Sequence, residues 1–165
     1  MIIKGKVWRF GDDISTDHII PGRFYHLRSN LDELKKHVFD DIAPGFYKRI
    51  SKGDIIVGGS NFGLGSSREH APLIIKMAGI DAIVAKSFAR IFYRNAINVG
   101  LAAIICDVDD AQEGDIVEIR VDEGILLNVT KKTEKRFSPL PKIMMDILKE
   151  EGLDKYIKKY GRFNI

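Results

Sequence analysis

The chain has 165 residues, 45% of them hydrophobic and 30% charged, which is typical of a folded globular protein with one core. Its net charge is only +3 and its basic residues are spread along the sequence, so the charge pattern does not call for nucleic acid. The single cysteine, Cys106, excludes a disulfide framework and a metal centre built from several thiolates of this chain. We expect Cys106 to be a buried structural thiol, because an apolar run surrounds it.

The N-terminal third predicts a strand, a polar loop and a helix. Side chains over 4–10 alternate between polar and apolar, which favours a β-strand, and a polar loop follows over 13–22. Asn30 is the predicted N-cap of a helix over 31–42, with Glu33 at the spacing of a capping box. The N-terminus lacks the apolar core of a signal peptide and no apolar run reaches membrane-spanning length, so we expect a cytoplasmic protein.

The middle of the chain alternates between strand and helix patterns. Short apolar runs at 55–59, 81–87 and 101–108 predict strands, and amphipathic stretches at 67–79 and 88–100 predict the helices between them. In the second of these helices the pattern places Phe88, Ile91 and Phe92 on the inner side. This alternation is typical of a parallel α/β unit with right-handed crossovers.

The C-terminal third changes character. Residues 114–121 and 124–130 alternate in polarity around a turn and predict a β-hairpin, and amphipathic helices are expected at 142–152 and 153–161. Together the patterns predict one α/β domain over residues 1–165 with extra antiparallel strands.

Residues 61–70, NFGLGSSREH, are the stretch that most suggests a function. Two glycines shape a turn from a strand into a helix, where unpaired N–H groups and the helix dipole favour anions. Arg68 adds a guanidinium that can hold a carboxylate or phosphate. Ser66 and Glu69 also fit a capping box, which would give Ser66 a structural role.

The spacing in this stretch excludes three common sites. A Walker A loop needs a lysine after its second glycine, and Leu64 stands there. A dinucleotide fingerprint needs a third glycine at Arg68, and a hydrolase nucleophile elbow needs a glycine two residues after its serine.

Three segments, GDDISTDHIIPG, NFGLGSSREHA and AKSFARIFYRNAINVGL, occur in an order that resembles the small subunits of the aconitase-type hydro-lyases, closest to the isopropylmalate dehydratases. The likeness extends from residue 7 to residue 163. It implies a swivelling β/β/α domain, like the C-terminal domain of aconitase, that docks onto a separate large subunit. It also implies that this large subunit carries a [4Fe-4S] cluster, in agreement with the lone cysteine.

The resemblance assigns roles to six residues. Ser66 would be the base that removes a carbon-bound proton while cluster iron takes the leaving hydroxyl. The serine alkoxide would need donors, for which the helix N-terminus and Arg68 are available. The catalytic residues implied are Ser66, Arg68 and Asp17, and the substrate-binding residues are Ser67, Arg28 and Thr16.

The substrate stays open at this stage. Ile20 stands where aconitase has a serine, which argues against citrate. Arg28 matches, by its distance from Gly22, an arginine that binds a tricarboxylate in aconitase and homoaconitases, whereas isopropylmalate enzymes carry apolar residues in this region. Phe24, Tyr25 and Leu27 supply apolar surface and Arg28 the charge, so both substrates fit the sequence. A stand-alone carboxylate-binding regulatory module is the alternative from another class.

Overall fold

A computed structural model describes residues 1–66 and 68–163. Within these residues seven strands form one mixed sheet in the order β4-β3-β2-β1-β5-β6-β7. The strands are β1 (Ile2–Arg9), β2 (Ile55–Val57), β3 (Ala82–Ala85), β4 (Ala102–Ile105), β5 (Ile116–Arg120), β6 (Ile125–Asn128) and β7 (Thr133–Arg136).

The strand β1 joins a parallel half of the sheet to an antiparallel half. On one side it pairs in parallel with β2, with Val7 opposite Ile55, and β3 and β4 continue the parallel pairing. On its other side it pairs antiparallel with β5, with Ile3 opposite Ile119. Every residue of β2 and β3 is buried, as expected where helices cover both faces of a parallel sheet. The strand β5 alternates between buried and partly exposed residues.

The helices are α1 (Thr16–Ile19), α2 (Leu31–Leu34), α3 (Phe46–Arg49), α4 (His70–Ala78), α5 (Arg90–Asn98), α6 (Lys142–Lys149) and α7 (Leu153–Tyr160), with 3-10 helices at Gly22–Ser29 and Lys35–His37. The crossovers from β2 to β3 and from β3 to β4 are α4 and α5, and α5 packs against both α4 and α6. The predicted α/β class, the parallel unit, the hairpin of β5 and β6 and the two C-terminal helices are confirmed. None of the helices in the described part of the chain is long and apolar enough to cross a membrane.

The strand β7 was not predicted, because its side chains carry no strand signal. Its sequence is Thr-Glu-Lys-Arg and all four residues are exposed, so no apolar alternation marks it. It forms through backbone pairing with β6, in which Leu127 lies opposite Glu134. A short charged strand of this kind is a common protection for the edge of a sheet.

The predicted helix over 31–42 is wrong in length. Asn30 does cap it, since its Oδ1 accepts a hydrogen bond of 3.3 Å from the Glu33 backbone N–H, but α2 ends at Leu34 and one 3-10 turn follows. The chain then leaves the helix through Phe39, which has a φ of 58°. This backbone turn brings the Phe39 ring onto Phe10, with ring centroids 4.6 Å apart. Burial of an aromatic side chain therefore overrides the local helical pattern.

Cys106 is buried at 6% exposure, which confirms the predicted structural thiol. Its Sγ lies 3.9 Å from the carbonyl oxygen of Arg136, at the end of β7. Burial, and next the negative charge of Asp107, raise the pKa of the Cys106 thiol above its ordinary value.

We therefore expect slow alkylation of Cys106 in the folded protein. Because the thiolate is the reactive form and the raised pKa favours the thiol, the apparent pKa from iodoacetamide rates should exceed that of the urea-unfolded chain. Rates measured across a pH series on both states check this. An equal or lower apparent pKa in the folded state would contradict the assignment.

Candidate active site

The loops that follow β1 and β2 run side by side at the carboxyl edge of the parallel strands. The Gly63 N–H donates to the Ile14 carbonyl at 2.6 Å, and the Thr16 N–H donates to the Leu64 carbonyl at 2.9 Å. These bonds extend the parallel pairing beyond the strands, with Ser15 bridged to Leu64. The carboxyl edge is where α/β sheets place their binding sites.

Two glycines of the second loop are required by close contacts. Gly63 has a φ of +85°, and a Cβ built there would lie 2.1 Å from the Phe92 ring. Gly65 has a φ of +103°, and its Cβ would lie 3.2 Å from Thr16 Oγ1. Both positions need the left-handed conformation that glycine adopts readily, and Gly63 leaves no room for a side chain.

Polar side chains also brace the loops after β1, β2 and β3. The Asp12 carboxylate accepts a bond of 2.7 Å from the Ser60 N–H, and Ser87 Oγ accepts one of 2.7 Å from the Asn61 N–H. Asp13 and Asn61 both have left-handed backbones, with φ of 55° and 59°. The sequence predictions missed this brace; its one signal was that aspartate and asparagine tolerate a positive φ better than other side chains.

Ser66 does not cap the helix that follows it, so the predicted capping box is wrong. Helix α4 begins at His70 with Glu69 as its N-cap, and no side-chain bond to that cap occurs among the described residues. Pro72 explains the late start: in a helix running from 67 it would lie in the interior, without an N–H and against the Arg68 carbonyl. Because α4 starts later than predicted, its unpaired N–H groups lie further along the chain than the residues next to Ser66.

Arg68 and Asp17 meet, as the predicted site requires. An Nη atom of Arg68 lies 2.9 Å from Asp17 Oδ1, and the other donates to the Ile20 carbonyl at 3.0 Å. The guanidinium also lies 4.7 Å from the centroid of the Tyr25 ring. The Arg68 side chain is 20% exposed and that of Asp17 is 69% exposed. The arginine is therefore largely buried, while the Asp17 carboxylate faces the solvent.

Thr16 lies behind Ser66, in contact with its backbone. It is 2% exposed, and its hydroxyl donates to the Ser66 carbonyl at 3.0 Å. The same oxygen lies 3.4 Å from Ser66 Oγ, while Ser66 itself is exposed. The predicted neighbourhood of Thr16 and Ser66 is present, with the threonine hydroxyl turned toward the serine. Ser67, the other predicted substrate-binding serine, lies outside the described residues.

Arg28 reaches the site indirectly, through Tyr25. Its guanidinium lies 4.8 Å from the Tyr25 ring centroid and donates to the Tyr25 carbonyl at 3.3 Å. Tyr25 therefore contacts both Arg28 and Arg68. Phe24, which the sequence offered as apolar surface, stacks instead on His37, with centroids 3.9 Å apart.

A cavity of about 210 Å³ opens between the second loop and the start of α5. Ser66 and Arg68 line one side, and Arg90, Ile91 and Asn95 line the other. Ile91 is 53% exposed, so its predicted place on the inner side of the helix is wrong.

This chain offers no metal site in the part that the structure describes. Within 1–66 and 68–163, no group of three or more histidine, cysteine, aspartate or glutamate side chains lies close enough to hold a metal ion. An iron-sulfur cluster does not fit the residues present in these ranges.

Comparison with known proteins gives a consistent picture. Residues 9–107 match the family model described as the aconitase C-terminal domain. The chain is 60% identical to the 3-isopropylmalate dehydratase small subunit 1 of Thermotoga maritima, over 98% of both chains. It is 57% identical to small subunit 2 of Archaeoglobus fulgidus over both full lengths.

Two further relatives bear on substrate and fold. A methanogen homoaconitase small subunit from Methanothermobacter thermautotrophicus is 52% identical, over 95% of this chain and 92% of the relative. A crystal structure of 3-isopropylmalate dehydratase from Methanocaldococcus jannaschii superposes with a TM-score of 0.92 at 47% identity, over 98% of this chain and 96% of that one.

Replacing Gly63 with alanine should destabilise the protein more than replacing Gly45. Gly45 has a φ of +72° and nothing within 4 Å of a built Cβ, so Gly45→Ala adds only the strain of a positive φ, about 1–2 kcal/mol. Gly63→Ala adds a clash with Phe92, worth roughly another 1–3 kcal/mol. Urea unfolding of both variants measures the difference, and equal losses would show that the loop can move away from α5.

Proposed function

The chain belongs to the aconitase C-terminal domain family, and from this premise we propose that it is the small subunit of a hydro-lyase that isomerises 2-isopropylmalate to 3-isopropylmalate. The reaction is a dehydration followed by rehydration and serves leucine biosynthesis. The observation that carries the proposal is that Ser66 and Arg68 line one cavity, with Arg68 held by Asp17, in a chain that matches such small subunits over its full length.

In this proposal Ser66 Oγ is the base. It takes a proton from the carbon next to a substrate carboxylate, the C–H electron pair forms the C=C bond, and hydroxide leaves the neighbouring carbon. Rehydration reverses these changes with the hydroxyl on the other carbon. Ser66 is exposed at the cavity, so its oxygen can approach the substrate without displacing other side chains.

Arg68 is the proposed carboxylate ligand. A guanidinium has five N–H donors, and the contacts with Asp17 and Ile20 leave others for a substrate. Those two contacts fix the guanidinium plane before the substrate arrives, which reduces the entropy lost on binding. Asp17 therefore acts on the reaction by orienting Arg68, and it is exposed enough to contact the substrate as well.

The proposed enzyme is active only with a large subunit, as the names of the relatives suggest. We assign the [4Fe-4S] cluster to that large subunit, where it would act as the Lewis acid of the reaction. The exposure of Ser66 and Asp17 agrees with this division, because a partner has to cover these side chains before the site can exclude bulk water. We place the complex in the cytoplasm, a reducing compartment in which a free thiol such as Cys106 is usual.

A homoaconitase small subunit, acting on homocitrate or homoaconitate, is the second candidate. The observations in its favour are the 52% identical methanogen relative and the exposed guanidinium of Arg28 beside Tyr25. Citrate is less suited, because Ile20 is fully buried and offers its carbonyl to Arg68 rather than a hydroxyl to a substrate.

Ser66→Ala should abolish turnover of 2-isopropylmalate by the complex of this chain with its large subunit. Loss of a general base typically lowers kcat about 10²- to 10⁴-fold, and the variant should still assemble, because Ser66 Oγ is exposed. Ser138→Ala, at another exposed serine, is the matched control. Full activity of Ser66→Ala would refute the base. Carboxylate binding by this chain without a partner, together with no turnover by the unaltered complex, would favour a stand-alone carboxylate-binding regulatory module.

Arg28→Val separates the two substrates. In an isopropylmalate enzyme the variant should keep turnover of 2-isopropylmalate within about threefold, because the isopropyl group needs no cation. Any activity on cis-homoaconitate should fall at least about tenfold, since an unpaired carboxylate loses a charge-assisted bond. Kinetics with both substrates check this, with Arg23→Val, which removes an exposed ion pair with Asp41, as the control. Turnover of homocitrate alone by the unaltered complex would favour the second candidate.

A further inference from the structure

The hydroxyl of Thr16 lies between two oxygens of Ser66. It is 3.0 Å from the Ser66 carbonyl oxygen, to which it donates, and 3.4 Å from Ser66 Oγ. Thr16 is 2% exposed, and Gly65, which has no Cβ, lets the threonine side chain reach the serine. The threonine backbone is held as well, by its N–H bond to the Leu64 carbonyl. The hydroxyl is therefore fixed in place and can change only the direction of its proton.

A serine alkoxide needs donors, and few are available to Ser66. Among residues 1–66 and 68–163, Thr16 is the side chain with a hydrogen-bonding atom within 3.5 Å of Ser66 Oγ. The Arg68 guanidinium is held by Asp17 and by the Ile20 carbonyl, and its remaining N–H donors are the ones assigned above to the substrate carboxylate. The first turn of α4 begins only at His70. The helix N-terminus that was expected to support the Ser66 alkoxide therefore lies further along the chain, and the alkoxide needs another donor.

We propose that Thr16 is a positioning residue that stabilises the alkoxide of Ser66, an inference that rests on the function proposed above. While Ser66 is neutral, the Thr16 hydroxyl donates to the Ser66 carbonyl, and its oxygen accepts a hydrogen bond from the Ser66 hydroxyl. When Ser66 is an alkoxide, rotation about the Cβ–Oγ bond turns the threonine proton toward Ser66 Oγ. That bond is charge-assisted and stronger than the bond to the carbonyl.

The proton of Thr16 stays on Thr16 throughout. Ser66 alone accepts the proton from the substrate carbon, the C–H electrons enter the C=C bond, and the hydroxide leaves. Once Ser66 is protonated, the Thr16 hydroxyl turns back to the carbonyl. Thr16 thus lowers the energy of the base without touching the substrate, which differs from the substrate-binding role that the family resemblance implies for it.

The test uses Thr16→Val and Thr16→Ser in the complex with the large subunit. Valine keeps the shape of threonine without the donor, and serine keeps the donor without the methyl group. Thr133→Val is the matched control, because that hydroxyl bonds to Asp110 near β7 and not to the site. If Thr16→Val fails to assemble, Thr16→Ala, which adds no bulk, carries the same expectation.

Thr16→Val should lower kcat about 10- to 100-fold, the usual worth of a hydrogen bond to a charged group, with KM within threefold. The acidic limb of the pH profile should move to higher pH, because the base becomes harder to deprotonate. The primary deuterium isotope effect at the substrate C–H should rise, and Thr16→Ser should restore kcat to within about threefold. A purely structural role would not change the isotope effect or the pH limb.

Two kinds of result would overturn the inference. Unchanged kcat and pH limb in Thr16→Val, or no rescue by serine, would refute the Thr16 role while leaving the proposed function in place. Full activity of Ser66→Ala would refute the base and this inference while the hydro-lyase function stands. Absence of turnover in the unaltered complex on every substrate tested would refute the proposed function and this inference together.

Discussion

The site depends on one constraint, the backbone pairing of the loops that follow β1 and β2. Neighbouring parallel strands end at the same edge, and the bonds from Gly63 to Ile14 and from Thr16 to Leu64 keep the two chains together past that edge. Without this pairing, Ser66 and Asp17, which are far apart in sequence, would have no common frame. The close fit of Gly63 to Phe92 then ties the pair to α5, which forms the opposite side of the cavity.

The parallel and antiparallel halves of the sheet have different roles. The parallel half carries its loops to the site and buries its strands beneath α4 and α5. The antiparallel half extends β1 on the other side and ends in the charged edge strand β7. The strand β1 belongs to both halves, so the loop that holds Thr16 and Asp17 begins at a strand that is paired on both sides.

The proposed active site is open on one side. Ser66 and Asp17 are exposed, while Thr16, which contacts Ser66, and Ile20, whose carbonyl holds Arg68, are buried. The buried groups preorganise the site, and its exposed side is open to solvent. This arrangement suits a domain that closes on a cofactor held elsewhere. The Tyr25 ring, in contact with both Arg68 and Arg28, links the proposed carboxylate ligand to the segment that holds the second guanidinium.

The sequence by itself determined the α/β class and the parallel unit, because periodicity and turn residues are local signals. The long family segments also pointed to Arg68 and Asp17, which the structure brings into contact. Tertiary structure decided the rest. Phe39 ended α2 early to reach Phe10, and β7 formed from exposed charged residues. Each of these depends on a partner distant in the chain, or on backbone pairing alone, and neither leaves a periodic pattern in the sequence.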